Sequence, residues 1–205
     1  MQVRTSLLLS ILLVVLTPPH LGISGEREDY LFAYRLYESG AYELAKKHLL
    51  KFVQDYPESE NADDALFLAA ECALKLGKLE EAVKYYKRLE ANYPKSPLRL
   101  DAVRGVGIAW FRQGRYEEAI RAFEEVAAKS KEPPVISSCL FYIGESYFRL
   151  RNYPKAIAYY DQLLKKYPKA PERKYALYSK GWSLYYLSLI HISEPTRIGM
   201  NSYAV

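Results

Sequence analysis

The chain runs to 205 residues, half of them apolar, with 29 lysines and arginines against 24 acids and a formal net charge of +5 at pH 7. Bases this few, and this evenly mixed with acids, exclude nucleic acid as the expected partner. Length and apolar content together allow a sizeable core.

Residues 1–24 read as a secretory signal peptide that takes no part in the fold. Arg4 gives the positive start, Leu7 to Leu16 an unbroken run of apolar residues and Ser10, and Gly22-Ile23-Ser24-Gly25 a small-residue exit. Cleavage is expected after Ser24 or Gly25. The run is too short to cross a bilayer about 30 Å thick, which takes roughly 20 residues. No transmembrane span is therefore expected after cleavage, and the mature chain is expected in the periplasm.

From there the chain repeats. Ala45, Ala82, Ala119 and Ala156 stand 37 residues apart each time. A period in this range marks stacked supersecondary units. Each alanine closes a short motif: Gly40-Ala41-Tyr42, Gly77-Lys78-Leu79 and Gly114-Arg115-Tyr116 open three of them, and Arg151-Asn152-Tyr153 opens the fourth with the glycine lost. Glycine ends a first helix by taking a positive φ. The Tyr or Leu then plugs the hairpin, and the alanine is small because two backbones approach there. Leu66, Ala69, Ala70 and Ala73 keep helical spacing before the second turn, and Leu79, Ala82, Tyr86 and Leu89 keep it afterwards. The second helix stops at Tyr56-Pro57, Tyr93-Pro94 and Tyr167-Pro168, since proline cannot continue a helix. In the third unit the step is displaced to Pro133-Pro134, which predicts a different loop.

The residues Leu66, Ala70, Gly77, Leu79, Ala82, Tyr86 and Pro94, and again Leu140, Gly144, Tyr153, Ala156, Tyr160 and Pro168, resemble the tetratricopeptide repeat. The common period of that family is about 34. The longer Tyr-Pro-x-Ser linkers are similar to those of exported bacterial members, such as the outer-membrane β-barrel assembly lipoprotein and the coordinator of the Tol–Pal system. The resemblance implies an all-α fold, a right-handed α-solenoid of helix hairpins spanning residues 25–187 as four hairpins and one unpaired helix.

The fifth unit starts at Arg173, but the register calls for Gly at 188 and Ala at 193, where the chain has Ser188 and Ser193. Residues 188–205 fall out of pattern and read as translated sequencing-adapter sequence, so the helix over 174–187 is expected to leave Leu177 and Leu184 poorly covered. Cys72 and Cys139, almost two units apart, would be separated by roughly 20 Å at about 10 Å per packed helix layer. A disulfide needs Cα atoms within about 7 Å, so both are read as small buried thiols.

The resemblance puts the first helices on the concave side. Peptide-binding positions expected there are Tyr34, Phe67, Lys75, Arg104, Phe111, Arg112, Phe141, Phe148 and Arg149, with Lys75, Arg112 and Arg149 in one column at 37-residue spacing. Aromatic pockets beside arginine are typical hot spots of interfaces. The same aromatics could equally serve only as packing between helices. The carboxylate clamp of the family is not expected, because its asparagine positions hold Tyr34, Glu71, Ile108 and Glu145. No catalytic constellation, metal-ligand spacing or cofactor loop is present in the sequence. His48, the one histidine inside the array, reads as a helix-surface residue, and the pairs Glu80-Glu81 and Glu117-Glu118 as helix-start acids. The expected function is an exported protein–protein interaction scaffold of the cell envelope that takes a peptide or partner helix and has a capacity for self-association. The alternative is the helical scaffold ahead of a periplasmic enzyme such as a lytic transglycosylase.

Overall fold

The computed structural model describes residues 23–201, so the leader reading falls outside the described residues except for Ile23 and Ser24, which open the first helix. Every regular element among the described residues is a helix: α1 Ile23–Glu38, α2 Tyr42–Asp55, α3 Ala62–Lys75, α4 Leu79–Asn92, α5 Arg99–Arg112, α6 Tyr116–Lys129, α7 Pro133–Arg149, α8 Tyr153–Lys166 and α9 Arg173–Asn201. Each helix packs on the next in the chain, which makes an α-solenoid. Odd-numbered helices also touch across repeats, α1 on α3 and so on to α9, whereas no such contact joins α2 to α4, α4 to α6 or α6 to α8. The odd helices thus lie on the inner side of the curve.

The hairpin turns form as the glycines predict. Gly40, Gly77 and Gly114 have φ of +80°, +74° and +79°. In each turn one backbone bond spans five residues, as in Lys78 N–H to Ala73 O (2.9 Å), and a second closes on the glycine, as in Gly77 N–H to Leu74 O (3.2 Å). This is the Schellman arrangement that satisfies the last carbonyls of a helix. The fourth turn keeps both bonds without a glycine: Arg151 itself takes φ +58°. The four period-marking alanines are all fully buried at the hairpin seams.

The proline loops are equally regular. Tyr56, Tyr93 and Tyr167 end α2, α4 and α8 with φ between −131° and −125° and ψ between 61° and 63°. The third joint differs, as the displaced prolines foretell: Ser130 is extended, and Pro133 opens α7, which is 17 residues long against 14 for α3 and α5. Proline is well placed in a first turn, where its missing N–H would have no partner.

The core is built from aromatic side chains seated on glycines. Tyr86 and Phe123 are fully buried, as is Tyr160. A Cβ added at Gly107 would lie 2.9 Å from the Phe123 ring, and one at Gly144 would lie 2.5 Å from the Tyr160 ring, both within one hairpin. In the second hairpin the equivalent position is Ala70, and Tyr86 lies against Gly105 of the next hairpin, where a Cβ would come within 2.4 Å of the ring. The Tyr86 hydroxyl donates to Glu71, and Tyr160 donates to Glu145 over 2.7 Å. Cys72 and Cys139 are free and buried, and burial pushes their thiols up to about 11 and about 12.

Two surface readings change. His48 is half-buried, with its ring edge-on to Phe32 at 4.9 Å. The acids at helix starts do more than favour the helix dipole: Glu81 accepts from Lys46 (2.6 Å) and Glu43 from Lys78 (3.0 Å), which ties the first hairpin to the second. The last helix shows no turn near residue 188 and runs on past Pro195 to Asn201. Its Leu177 and Leu184 are about half exposed, and a Cβ on Gly181 would meet nothing within 4 Å.

Candidate functional site on the inner helices

The regular hairpin sets α3, α5 and α7 side by side on the inner face, so residues one period apart line up in rows. Lys75, Arg112 and Arg149 end these three helices and are all exposed. Arg112 reaches back one repeat, where its Nη1 donates to the Leu74 carbonyl at 3.0 Å. A guanidinium there caps the open end of α3 and favours its dipole. Lys75 and Arg149 have no ion-pair partner among the described residues.

Arg104 lies deeper and is half-buried, held by Asp101 through Nε (3.2 Å) and Nη2 (2.8 Å). It stands near the Tyr86–Glu71 pair, whose phenol is pushed up first by burial and then by the Glu71 charge, with Arg104 acting in the opposite direction.

The predicted aromatics are all half-buried. Tyr34 stacks on Tyr30 at 6.2 Å, and Tyr30 in turn donates to Asp64 of the next hairpin. Phe67 packs edge-on to Tyr86 (5.6 Å). Phe111 meets Tyr116 (5.6 Å) and Tyr142 (5.4 Å), and Phe141 meets Tyr142 (5.8 Å) and Tyr175 (6.3 Å). Phe148 meets Tyr153 (5.7 Å) and Tyr186 (6.1 Å). In three hairpins the residue that opens the second helix is braced by the aromatic five residues before it, in Tyr37–Tyr42, Phe111–Tyr116 and Phe148–Tyr153, whereas the second hairpin has Leu74 and Leu79 there.

One part of the row opens into a cleft of about 390 Å³ lined by Phe148, Arg149, Arg151, Tyr153 and Tyr186. Of these, Phe148 and Arg149 were expected from the sequence. Arg151, Tyr153 and Tyr186 were not, although Arg151 is marked by occupying the turn position that holds glycine in the other hairpins. Tyr153 and Tyr186 stack at 5.4 Å, which gives the cleft an aromatic wall, and two arginines share its lining. Such a wall can hold an apolar side chain while the arginines engage a carboxylate.

One tetratricopeptide-repeat family model matches residues 30–97 and 95–134, half of the chain, and a second matches residues 138–170. The chain belongs to the tetratricopeptide-repeat family. Among solved structures it is similar to nearly identical TPR-like repeats of a Podosopora anserina protein described as a kinesin light chain. That match has 17% identity and a TM-score of 0.64, and covers 86% of this chain and 92% of that one. It is also similar to MamA, with 19% identity and a TM-score of 0.65 over 77% of this chain and 85% of that one. A further MamA structure matches over 88% and 96% at 17% identity, with a TM-score of 0.62. At such identities the likeness is one of fold. No curated protein sequence matches. A tetratricopeptide array is a scaffold type of fold, and this one is a protein–protein interaction scaffold.

Proposed function

We propose that this tetratricopeptide-repeat protein is an exported scaffold of the bacterial cell envelope, and that its inner face binds an extended peptide or a partner helix carrying acidic and aromatic or aliphatic side chains. The observation that carries the binding mode is the exposed Lys75–Arg112–Arg149 row ending in the cleft of Phe148, Arg149, Arg151, Tyr153 and Tyr186. Cationic side chains over an apolar wall favour ligands with a carboxylate next to an apolar group. The reading of export rests on the leader, with Arg4, the run from Leu7 to Leu16 and the small residues before Glu26.

Binding is tested by selecting peptides from a random displayed library on the full chain and measuring their affinity by fluorescence anisotropy. Lys75→Glu with Arg149→Glu, both at exposed positions, is expected to weaken the selected peptides by at least about tenfold, or 1.4 kcal/mol. Arg112 is left intact because it caps α3. Unchanged affinity in the double variant rules out the inner row as the binding surface. Export is tested by fusing residues 1–30 to alkaline phosphatase, which is active only after secretion; an inactive fusion refutes the envelope location.

A further inference from the structure

The proline loops form one edge of the array, and their charge changes sign along it. Residues 54–64, around the first loop, hold Asp55, Glu58, Glu60, Asp63 and Asp64 and no base, a net charge of −5. The same stretch one and two periods later, 91–101 and 128–138, has a net charge of +1 each time. Three periods later, 165–175 holds Lys165, Lys166, Lys169, Arg173 and Lys174 against Glu172, a net charge of +4. All five of these bases are exposed, as are Asp55, Glu58 and Glu60. Among the described residues no ion pair engages Glu58, Glu60, Lys165, Lys166 or Lys169.

Shape changes together with charge. A cleft of about 350 Å³ lies beside the fourth loop, walled by Pro133, Pro134, Tyr167, Pro168 and Pro171 and rimmed by Lys166 and Lys169. Every position lining it falls two periods after a position lining an equivalent cleft nearer the start, where Ser59 and Glu60 stand in place of Pro133 and Pro134. The cleft is thus a feature of the repeat, and its instance at the basic end is the apolar one. At the acidic end Leu31, 37% exposed, lines a hollow with Glu26, Arg27, Tyr30, Glu60 and Asn61. An apolar cleft lined in part by lysines and a more polar hollow lined in part by glutamates therefore stand at opposite ends of one edge.

We propose that this edge is a self-recognition surface on which two copies of the chain pair antiparallel, the acidic first loop of each lying on the basic fourth loop of the other. A two-fold axis between the second and third loops makes both attractive contacts at once and faces the nearly neutral middle loops with each other, which is the self-complementarity of an isologous dimer. Near-equal and opposite charge at the two ends specifies a second copy as the occupant. The surface is separate from the inner row, so Lys75→Glu with Arg149→Glu leaves the pairing intact, and either proposal can fail alone.

Sedimentation velocity of the full chain tests the pairing. A dimer is expected at about 0.1 M salt and a monomer at about 1 M, where the Debye length shrinks from about 10 to about 3 Å. Glu58→Lys with Glu60→Lys brings the first loop from a net charge of −5 close to neutrality, and Lys166→Glu with Lys169→Glu removes the net positive charge of the fourth loop. Each double variant alone is expected to weaken the dimer at least tenfold, and an equimolar mixture of the two is expected to form a heterodimer. The reversals involve exposed side chains, and an unchanged far-UV circular dichroism spectrum checks folding. A monomer at low salt and sub-millimolar protein overturns the proposal. So does a dimer that ignores the reversals, and so does a monomer whose basic loop binds vesicles of anionic lipid instead.

Discussion

Gly105→Ala tests the reading that the core rings need glycine floors. A Cβ there would lie 2.4, 2.6 and 2.8 Å from three carbons of the Tyr86 ring. Comfortable carbon–carbon contact is about 3.5–4.0 Å, so the ring has to retreat by roughly 1 Å. It has little room: Tyr86 is fully buried and its hydroxyl is tied to Glu71. Overpacking of this kind costs about 1–3 kcal/mol, and losing a hydrogen bond to a charged group about 1.5–3 kcal/mol. Replacing a helical glycine with alanine returns about 1 kcal/mol of propensity. The expected net loss is about 2 kcal/mol. Gly181→Ala is the control, because its Cβ would meet nothing within 4 Å, so it should gain up to about 1 kcal/mol from propensity alone. At about 2–4 °C per kcal/mol in a chain of this size, the two variants should melt roughly 6–12 °C apart. Thermal and urea unfolding followed by far-UV circular dichroism measures this. Tyr86→Leu, which copies Leu49 of the first hairpin, should relieve the alanine, so that the double variant loses about 1–2 kcal/mol less than the sum of the singles. If Gly105→Ala proves as stable as the parent, or if the two changes simply add, the glycine-floor argument is refuted.

Gly77→Ala has open space but a φ of +74°, so backbone strain alone should cost about 1 kcal/mol in a urea melt, whereas Arg151→Gly should hold or raise stability by up to about 1 kcal/mol by relieving φ +58°. Glu81→Ala leaves the buried Lys46 ammonium with only the longer 3.6 Å contact to Glu43, and should lower stability by about 1–3 kcal/mol in the same assay. Both thiols should resist Ellman's reagent at pH 8 in the native protein and react fully in urea, since burial holds Cys72 near 11 and Cys139 near 12. Their folded pKa values lie above the ordinary 9.0, and burial likewise lifts the Tyr159 phenol from 10.0 to about 12. An acid shifted upward by folding contributes stability that is complete below its unfolded pKa and is lost as pH rises through its folded one. The urea midpoint should therefore be flat from about pH 7 to pH 9 and fall steadily between pH 10 and pH 12, and a midpoint that rises in that upper window would contradict the assigned burial.

Much of this architecture could be read directly from the sequence, for a physical reason. A turn that needs φ near +75°, a seam that admits only alanine and a loop that stops at Tyr-Pro are local demands, and each recurs with the period. What could not be read was how close a ring lies to the hairpin that follows. A Cβ at Gly105 would come within 2.4 Å of the Tyr86 ring, a closeness that the spacing of the two residues does not announce. The Tyr–Glu pairs carried a usable signal, since both span fifteen residues, Glu71 to Tyr86 and Glu145 to Tyr160. Arg112 was expected on the inner row and is found there, but its bond to the Leu74 carbonyl depends on how far one repeat rises over the last, a distance that spacing does not encode.

The three Tyr-Pro joints agree within six degrees of φ and two of ψ. Identical joints make the units interchangeable building blocks. A crossover that copies the second hairpin between two such joints would create no junction the chain does not already contain, so the array can lengthen by duplication without redesign. The segment around Ser130 and Pro133 is the place where that freedom ends, because a copy cut there would inherit a connector built to a different pattern.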